Sequence, residues 1–229
     1  ACLAHLGHSV VCADIDEAKI ARLKGGHIPI FEKGLEDLVQ EGLSARRLSF
    51  VVGGAAAVTD AEFVFLCVQT PQGEDGSADL TFVELASREI GPVLAAGAVV
   101  ITKSTVPVGS ALVVEAALGR RDVSVVSNPE FLREGQAVQD CLHPDRVVIG
   151  SDDKAAALLV AALYESLDAP LIVTDPPTAE TIKYACNAFL AAKVSFINAI
   201  ANLCQAVGAD VRDVVLGMEV AWRAARSPW

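Results

Sequence analysis

A chain of 229 residues, 52% hydrophobic and 21% charged, has material for one large domain or one and a half with a sizeable core. Its 29 acidic residues against 18 basic ones leave a formal charge of −11, which argues against a nucleic-acid surface. The six cysteines, at 2, 12, 67, 141, 186 and 204, include no Cys-x-x-Cys and no cluster with histidine at metal-ligand spacing, so neither a metal site nor a disulfide framework is expected.

Reduced thiols in a cytoplasmic protein are the simplest account. No apolar run reads as long enough for a membrane span, and no membrane association is expected. The first residues, Ala-Cys-Leu-Ala-His-Leu-Gly, read as the end of a helix closed by Gly7. Residues 8–14 form an apolar run ending on Asp14, and a helical pattern follows over 16–24; together they make the second half of a β-α-β unit. In a dinucleotide-binding fold an acid at such a strand end accepts hydrogen bonds from the adenosine ribose, although a single acid there is more often a helix N-cap or simply exposed.

Apolar runs at 48–51, 63–68, 99–102, 123–127, 147–150 and 171–174 predict further strands, alternating with amphipathic segments at 81–94, 109–118 and 153–166. Near-continuous runs of this kind suit a parallel sheet covered by helices on both faces. Residues 72–77, Gln-Gly-Glu-Asp-Gly-Ser, read as a loop insertion.

Three strand ends carry polar motifs. One ends on Thr70-Pro71, a second passes Ser104-Thr105 before a helix, and the third, Ser127 to Gly135, holds Asn128, Glu130, Arg133 and Glu134 within nine residues. Singly, each is a turn, a cap or a solvated loop. Ligands in open α/β sheets bind outside the carboxyl ends of the strands, so the three loops are expected to line one crevice.

Pro176-Pro177 marks a boundary between a domain at 1–175 and a second at 176–229. Residues 178–207 contain no Gly or Pro, and a helix of that length spans about 45 Å, too long for one layer of a compact domain and suited to a connector. On it Lys183 and Asn187 sit four apart on one face among apolar neighbours, as a crevice wall would place them; a solvated helix side is the alternative.

Thr70-Pro71, Lys103-Ser-Thr-Val-Pro-Val-Gly109, Asn128-Pro-Glu-Phe-Leu-Arg-Glu-Gly135, His143-Pro-Asp-Arg-Val-Val-Ile-Gly150 and Lys183 with Asn187 together resemble the UDP-glucose/GDP-mannose dehydrogenase family, in order from Ala1 to about Gly217. The likeness leans to members acting on UDP-glucose, because GDP-mannose members tend to have Ser where Gly135 stands and to lack the His-Pro-Asp-Arg stretch. The resemblance implies a Rossmann-like, doubly wound parallel α/β sheet whose first strand is missing, followed by a long helix that begins a helical dimerisation domain. It also implies NAD as cofactor and oxidation of a nucleotide sugar at C6, UDP-glucose to UDP-glucuronate, in two hydride transfers by a homodimer joined through the long helix.

By position, Asp14 and Lys19 would hold the adenosine side of NAD, with Thr70 and Thr105 on the nicotinamide side. Glu130 would activate water for hydrolysis of a thioester intermediate, and Lys183, Asn187 and Thr105 would act at the C6 oxygen. Phe131, Leu132, Glu134, Lys183 and Asn187 would contact the sugar nucleotide, while Arg133 has no assigned task. The family's glycine-rich loop would precede Ala1, and none of the six cysteines stands in the family's Gly-Gly-Ser-Cys-Phe-Pro-Lys-Asp context. Residues 219–229 depart from the family pattern. Residues 1–229 alone are therefore expected to be inactive, and a binding or dimerisation module is the alternative reading.

Overall fold

The computed structural model describes residues 1–74 and 76–224. Its first compact unit, Ala1–Lys183, opens with α1 (Cys2–His5), β1 (Val10–Asp14), α2 (Glu17–Lys24), α3 (Leu35–Ser44) and β2 (Leu48–Val52). Strands β1 and β2 run parallel, from Val10 opposite Leu48 to Asp14 opposite Val52. Asp16 starts α2 by accepting a hydrogen bond from the Lys19 amide, which satisfies one of the amides left open at a helix start. Ala4, Ile20, Val39, Leu48 and Phe50 bury the core of this layer.

A second sheet follows, built from β3 (Phe63–Leu66), α4 (Thr81–Ile90), β4 (Val99–Thr102), α5 (Ser110–Leu118), β5 (Ser124–Ser127), α6 (Ala137–Leu142), β6 (Val147–Gly150), α7 (Lys154–Ala162) and β7 (Leu171–Thr174). Its order is β3-β4-β5-β6-β7. Every position of β4 and β6 is buried, which is why these runs show no alternation. One face packs on α4 and α5 through Val83, Ile90, Val114 and Leu118, and the other on α7 through Ala156, Ala157 and Val160. Among the described residues β1 pairs only with β2, and β3 only with β4. That order agrees with a doubly wound sheet one of whose strands is not among these residues.

The predicted parallel sheet has one exception among the described residues: β6 runs antiparallel to β5, with Ser127 opposite Gly150. A parallel return needs a crossover that travels back along the sheet. Here α6 has six residues, about 9 Å of helix, so the chain re-enters the sheet from the end at which it left. The loop at 72–77 is closed by a bridge between Gln72 and Ala78; Asp75 within it lies outside the described residues.

Helix α8 (Pro176–Val207) has 32 residues, and its start, as far as Lys183, belongs to the first unit. The second unit, from Tyr184, holds the rest of α8 and α9 (Val211–Ala224). Gly208, with φ 75°, closes α8 in a conformation that suits glycine. In this unit Phe189, Leu190, Val194, Phe196 and Leu203 are exposed. By length and composition alone α8 is long and apolar enough to cross a membrane, which corrects the expectation that no run reaches that length. Helix α9 lies within the region expected to be helical, and Val211, Val214, Val215 and Met218 recur in it at helical spacing.

Candidate functional site

The polar centre of the first unit is built on the residue that follows β5. Asn128 is fully buried; its Nδ2 donates to the Val148 carbonyl at 2.7 Å, and its Oδ1 accepts from the Tyr164 hydroxyl at 2.5 Å and from Lys103 Nζ at 3.2 Å. This anchor fixes the end of the strand, so the next residues leave the sheet from a defined point. Burial pushes the Tyr164 hydroxyl above the ordinary tyrosine value and the Lys103 ammonium below the ordinary lysine value.

Two residues further, Glu130 Oε1 accepts from Lys183 Nζ at 2.9 Å, and Glu130 Oε2 accepts from the Leu132 amide at 2.5 Å. Lys183 is 7% exposed, so its charge needs a counter-ion, which Glu130 supplies. Phe131 lies beside the pair, with Lys183 Nζ 5.3 Å and the Arg146 guanidinium 3.9 Å from its ring centroid. Both cations face a ring whose quadrupole attracts them.

The other strand-end loops join this one, as the sheet geometry predicts. Thr70 Oγ1 donates to the Thr105 carbonyl at 2.8 Å, and Ser104 Oγ donates to the Val68 carbonyl at 2.5 Å. Lys103, at the head of the second loop, reaches the third through Asn128. Thr70, Thr105, Glu130, Phe131 and Lys183 thus belong to one connected region, whereas Leu132, Glu134 and Asn187 are exposed side chains. Asn187 lies in the second unit.

Arg133 has a structural task. Its Nη2 donates to Asp140 Oδ1 at 2.6 Å, and its Nε and backbone amide donate to Asp140 Oδ2 at 3.1 and 2.8 Å. The fork folds the loop back onto α6 and holds the Asp140 carboxyl below its ordinary range. Glu32, from the turn before α3, accepts from the amides of Gly135 and Ala137 at 2.8 and 3.1 Å and so closes the start of α6. Neither contact was legible in local spacing, nor was the stacking of Arg146 on Phe131.

Asp14 ends β1 with its carboxylate bound to the Lys19 ammonium and to the Asp16 amide, which together keep it below the ordinary aspartate value. An ionised acceptor and an ammonium at the carboxyl end of a parallel strand fit the ribose hydroxyls and negative charge of a dinucleotide. The set therefore fits NAD by its chemistry.

Helices on both faces of a largely parallel sheet, an acid ending β1 and a buried ammonium paired with a carboxylate at the strand ends define a Rossmann-like protein of the dinucleotide-binding class. Residues 1–168 match the NAD binding domain of the UDP-glucose/GDP-mannose dehydrogenase family, and residues 177–228 match its central domain, so the chain belongs to that family. The second match also overturns the expectation that the family pattern ends near Gly217.

The chain is 46% identical over 230 residues to the UDP-glucose 6-dehydrogenase TuaD of Bacillus subtilis, covering 98% of this chain and 50% of that protein. It is 49% identical over 227 residues to the UDP-glucose 6-dehydrogenase of Rhizobium meliloti, covering 95% and 52%. Among solved structures, a UDP-glucose dehydrogenase from Pyrobaculum islandicum superposes with a TM-score of 0.92 at 41% identity, covering 97% of this chain and 53% of that one. A GDP-mannose dehydrogenase from Pseudomonas aeruginosa gives 0.88 at 38% identity, with the same coverage. The chain spans about half the length of the curated relatives it matches.

Proposed function

We propose that this chain carries the cofactor and sugar-oxygen half of an enzyme that oxidises UDP-glucose at C6 to UDP-glucuronate, using NAD in the cytoplasm. The observation that carries the reading is the buried Lys183 ammonium held 2.9 Å from Glu130 at the carboxyl ends of the strands. An ammonium so placed stabilises negative charge developing on an oxygen, which is commonly the largest catalytic term. The paired carboxylate accepts a proton from a hydroxyl or an attacking water once the ammonium has turned to the substrate oxygen.

Asp14 and Lys19 would hold the adenosine ribose of NAD, and Thr70 and Thr105 would face its nicotinamide; when bound, the cofactor accepts hydride. Phe131, Leu132 and Glu134 would contact the sugar nucleotide, and Asn187 would share the C6 oxygen with Lys183. A thioester intermediate needs a thiol, and in this reading that thiol is none of the six cysteines of residues 1–229. The domain assignment that goes with it is an NAD-binding domain over 1–175 and the start of a helical domain over 176–229. Exposed Phe189, Leu190, Val194, Phe196 and Leu203 support α8 as the contact of a homodimer.

The test is NADH absorbance on mixing the complete gene product with NAD and UDP-glucose, beside residues 1–229 alone. Two NADH per UDP-glucose consumed by the complete product, and none by residues 1–229, is the expected result. A complete product that yields no NADH, in a form that light scattering shows to be a dimer, would favour the non-catalytic module.

A further inference from the structure

We propose that Glu180 is a positioning residue for the reaction: its carboxylate sets the place of the Lys183 ammonium relative to Glu130. The proposal rests on the reading of Lys183 and Glu130 given above. Glu180 lies in the first turns of α8 and is 3% exposed. Its Oε2 accepts from the Gly109 amide at 2.6 Å, and its Oε1 accepts from the Ala111 amide and the Ser127 hydroxyl, both at 3.1 Å.

Each of these partners belongs to a different part of the site. Gly109 and Ala111 open α5, which has no side-chain cap of its own, so a carboxylate from a distant helix takes the open amides and meets the positive end of the α5 dipole. The loop that leads into those amides contains Lys103 and Thr105. Ser127 is the last residue of β5, three before Glu130. Lys183 stands three residues after Glu180 on α8, on the same helix face. One buried carboxylate therefore joins the helix that bears the ammonium to the strand end that bears its partner and to the loop that bears Thr105.

Glu180 acts through these groups and not on substrate. It is 3% exposed and both oxygens of its carboxylate are taken by the Gly109 and Ala111 amides and the Ser127 hydroxyl, so it presents no open face to a substrate. Geometry in a reacting site is demanding, and a displacement of about 1 Å far from the chemistry can lower a rate by about 10²-fold. Three hydrogen bonds to a carboxylate fix position more tightly than the pair at 2.9 Å does alone, because the pair must open to admit substrate oxygen.

The experiment compares Glu180→Gln, Glu180→Ala, Ser127→Ala and Lys183→Ala, and the Glu180→Gln and Ser127→Ala changes each combined with Lys183→Ala, in the complete gene product, measuring kcat and KM for NAD and UDP-glucose together with Tm. Expected values are a fall in kcat of about 10-fold for Glu180→Gln and about 10²-fold for Glu180→Ala, with KM for NAD within about twofold of wild type. Ser127→Ala, which removes one of the three donors and leaves the backbone bonds, lowers kcat by about threefold and remains folded if Glu180→Ala does not. In a Lys183→Ala background Glu180→Gln adds no further loss, because the group it positions is gone. If the folded Glu180 and Ser127 variants keep wild-type kcat while Tm falls, or if their losses multiply with that of Lys183→Ala, Glu180 is only a structural cap and the proposal is overturned. Wild-type kcat in Lys183→Ala itself would instead remove the reading on which the proposal stands.

Discussion

Replacing Asn128 by Ala removes the partner of three buried groups at once. The Val148 carbonyl loses a donor at 2.7 Å, while the Tyr164 hydroxyl and the Lys103 ammonium lose their acceptor at 2.5 and 3.2 Å. A buried polar group left unsatisfied costs about 1–3 kcal/mol, and with Lys103 free to turn toward solvent the two that remain, the Val148 carbonyl and the Tyr164 hydroxyl, sum to about 2–6 kcal/mol. A water, with a share of liquid volume of about 30 Å³, fits roughly into the space left and restores part of the loss, which places the expectation near the lower end. Tyr164→Phe removes one donor only and costs about 1 kcal/mol, and the double substitution loses less than the sum because the two groups share a bond. Urea denaturation gives the stabilities, and amide exchange at Val148 reports the same site locally. A loss below about 1 kcal/mol for Asn128→Ala would refute the view that this network fixes the end of β5.

Three other outcomes follow from the same structure. A Cβ on Gly150 would stand 2.5 Å from Ala179 Cβ, 2.8 Å from the Asp175 carbonyl oxygen and 2.9 Å from Pro176 Cα, so Gly150→Ala forces backbone apart where α8 begins. The expected loss is about 2 kcal/mol or more, read from the urea midpoint, and an unchanged midpoint would contradict the packing described. Asp140 is held below its ordinary value of 3.8, chiefly by the Arg133 side chain. The folded protein then binds fewer protons than the unfolded chain, so this stabilisation is complete above pH 3.8 and disappears as pH falls through the lower folded value. Asp140→Asn should flatten the acid limb of stability against pH, whereas an unchanged limb would show that the Arg133 fork contributes nothing. Phe131→Leu removes the face on which Arg146 and Lys183 stack, and weaker UDP-glucose binding by calorimetry, with NAD binding unchanged, is the expected result.

Most strands were legible because short β-branched runs such as 99–102 and 147–150 suit strands buried on both faces of a sheet, and the structure forms both at those bounds. Direction was not legible. An apolar run reads alike both ways, and the antiparallel entry of β6 depends on how short α6 is. Helix α3 lies outside the predicted elements, although Leu35, Leu38, Val39 and Leu43 recur at helical spacing.

In the site, motif order was enough to bring Glu130 and Lys183 together as candidates, and the structure pairs them. The groups that support them were hidden, since Glu180 meets Gly109 across 71 positions and Glu32 meets Gly135 across 103. Contacts at such separation leave no trace in local spacing. Glu180 offered one faint sign, a carboxylate three residues before Lys183 on a helix otherwise rich in apolar residues.

The central claim is that Glu130 and Lys183 act as one unit on the sugar oxygen. A double-mutant cycle of Glu130→Gln and Lys183→Ala, followed by turnover of NAD with UDP-glucose in the complete gene product, tests it most directly. Each single change should lower kcat by about 10² or more, and the double change should lose little beyond the worse single one. Wild-type turnover in either single variant, or losses that multiply in the double, would contradict the account.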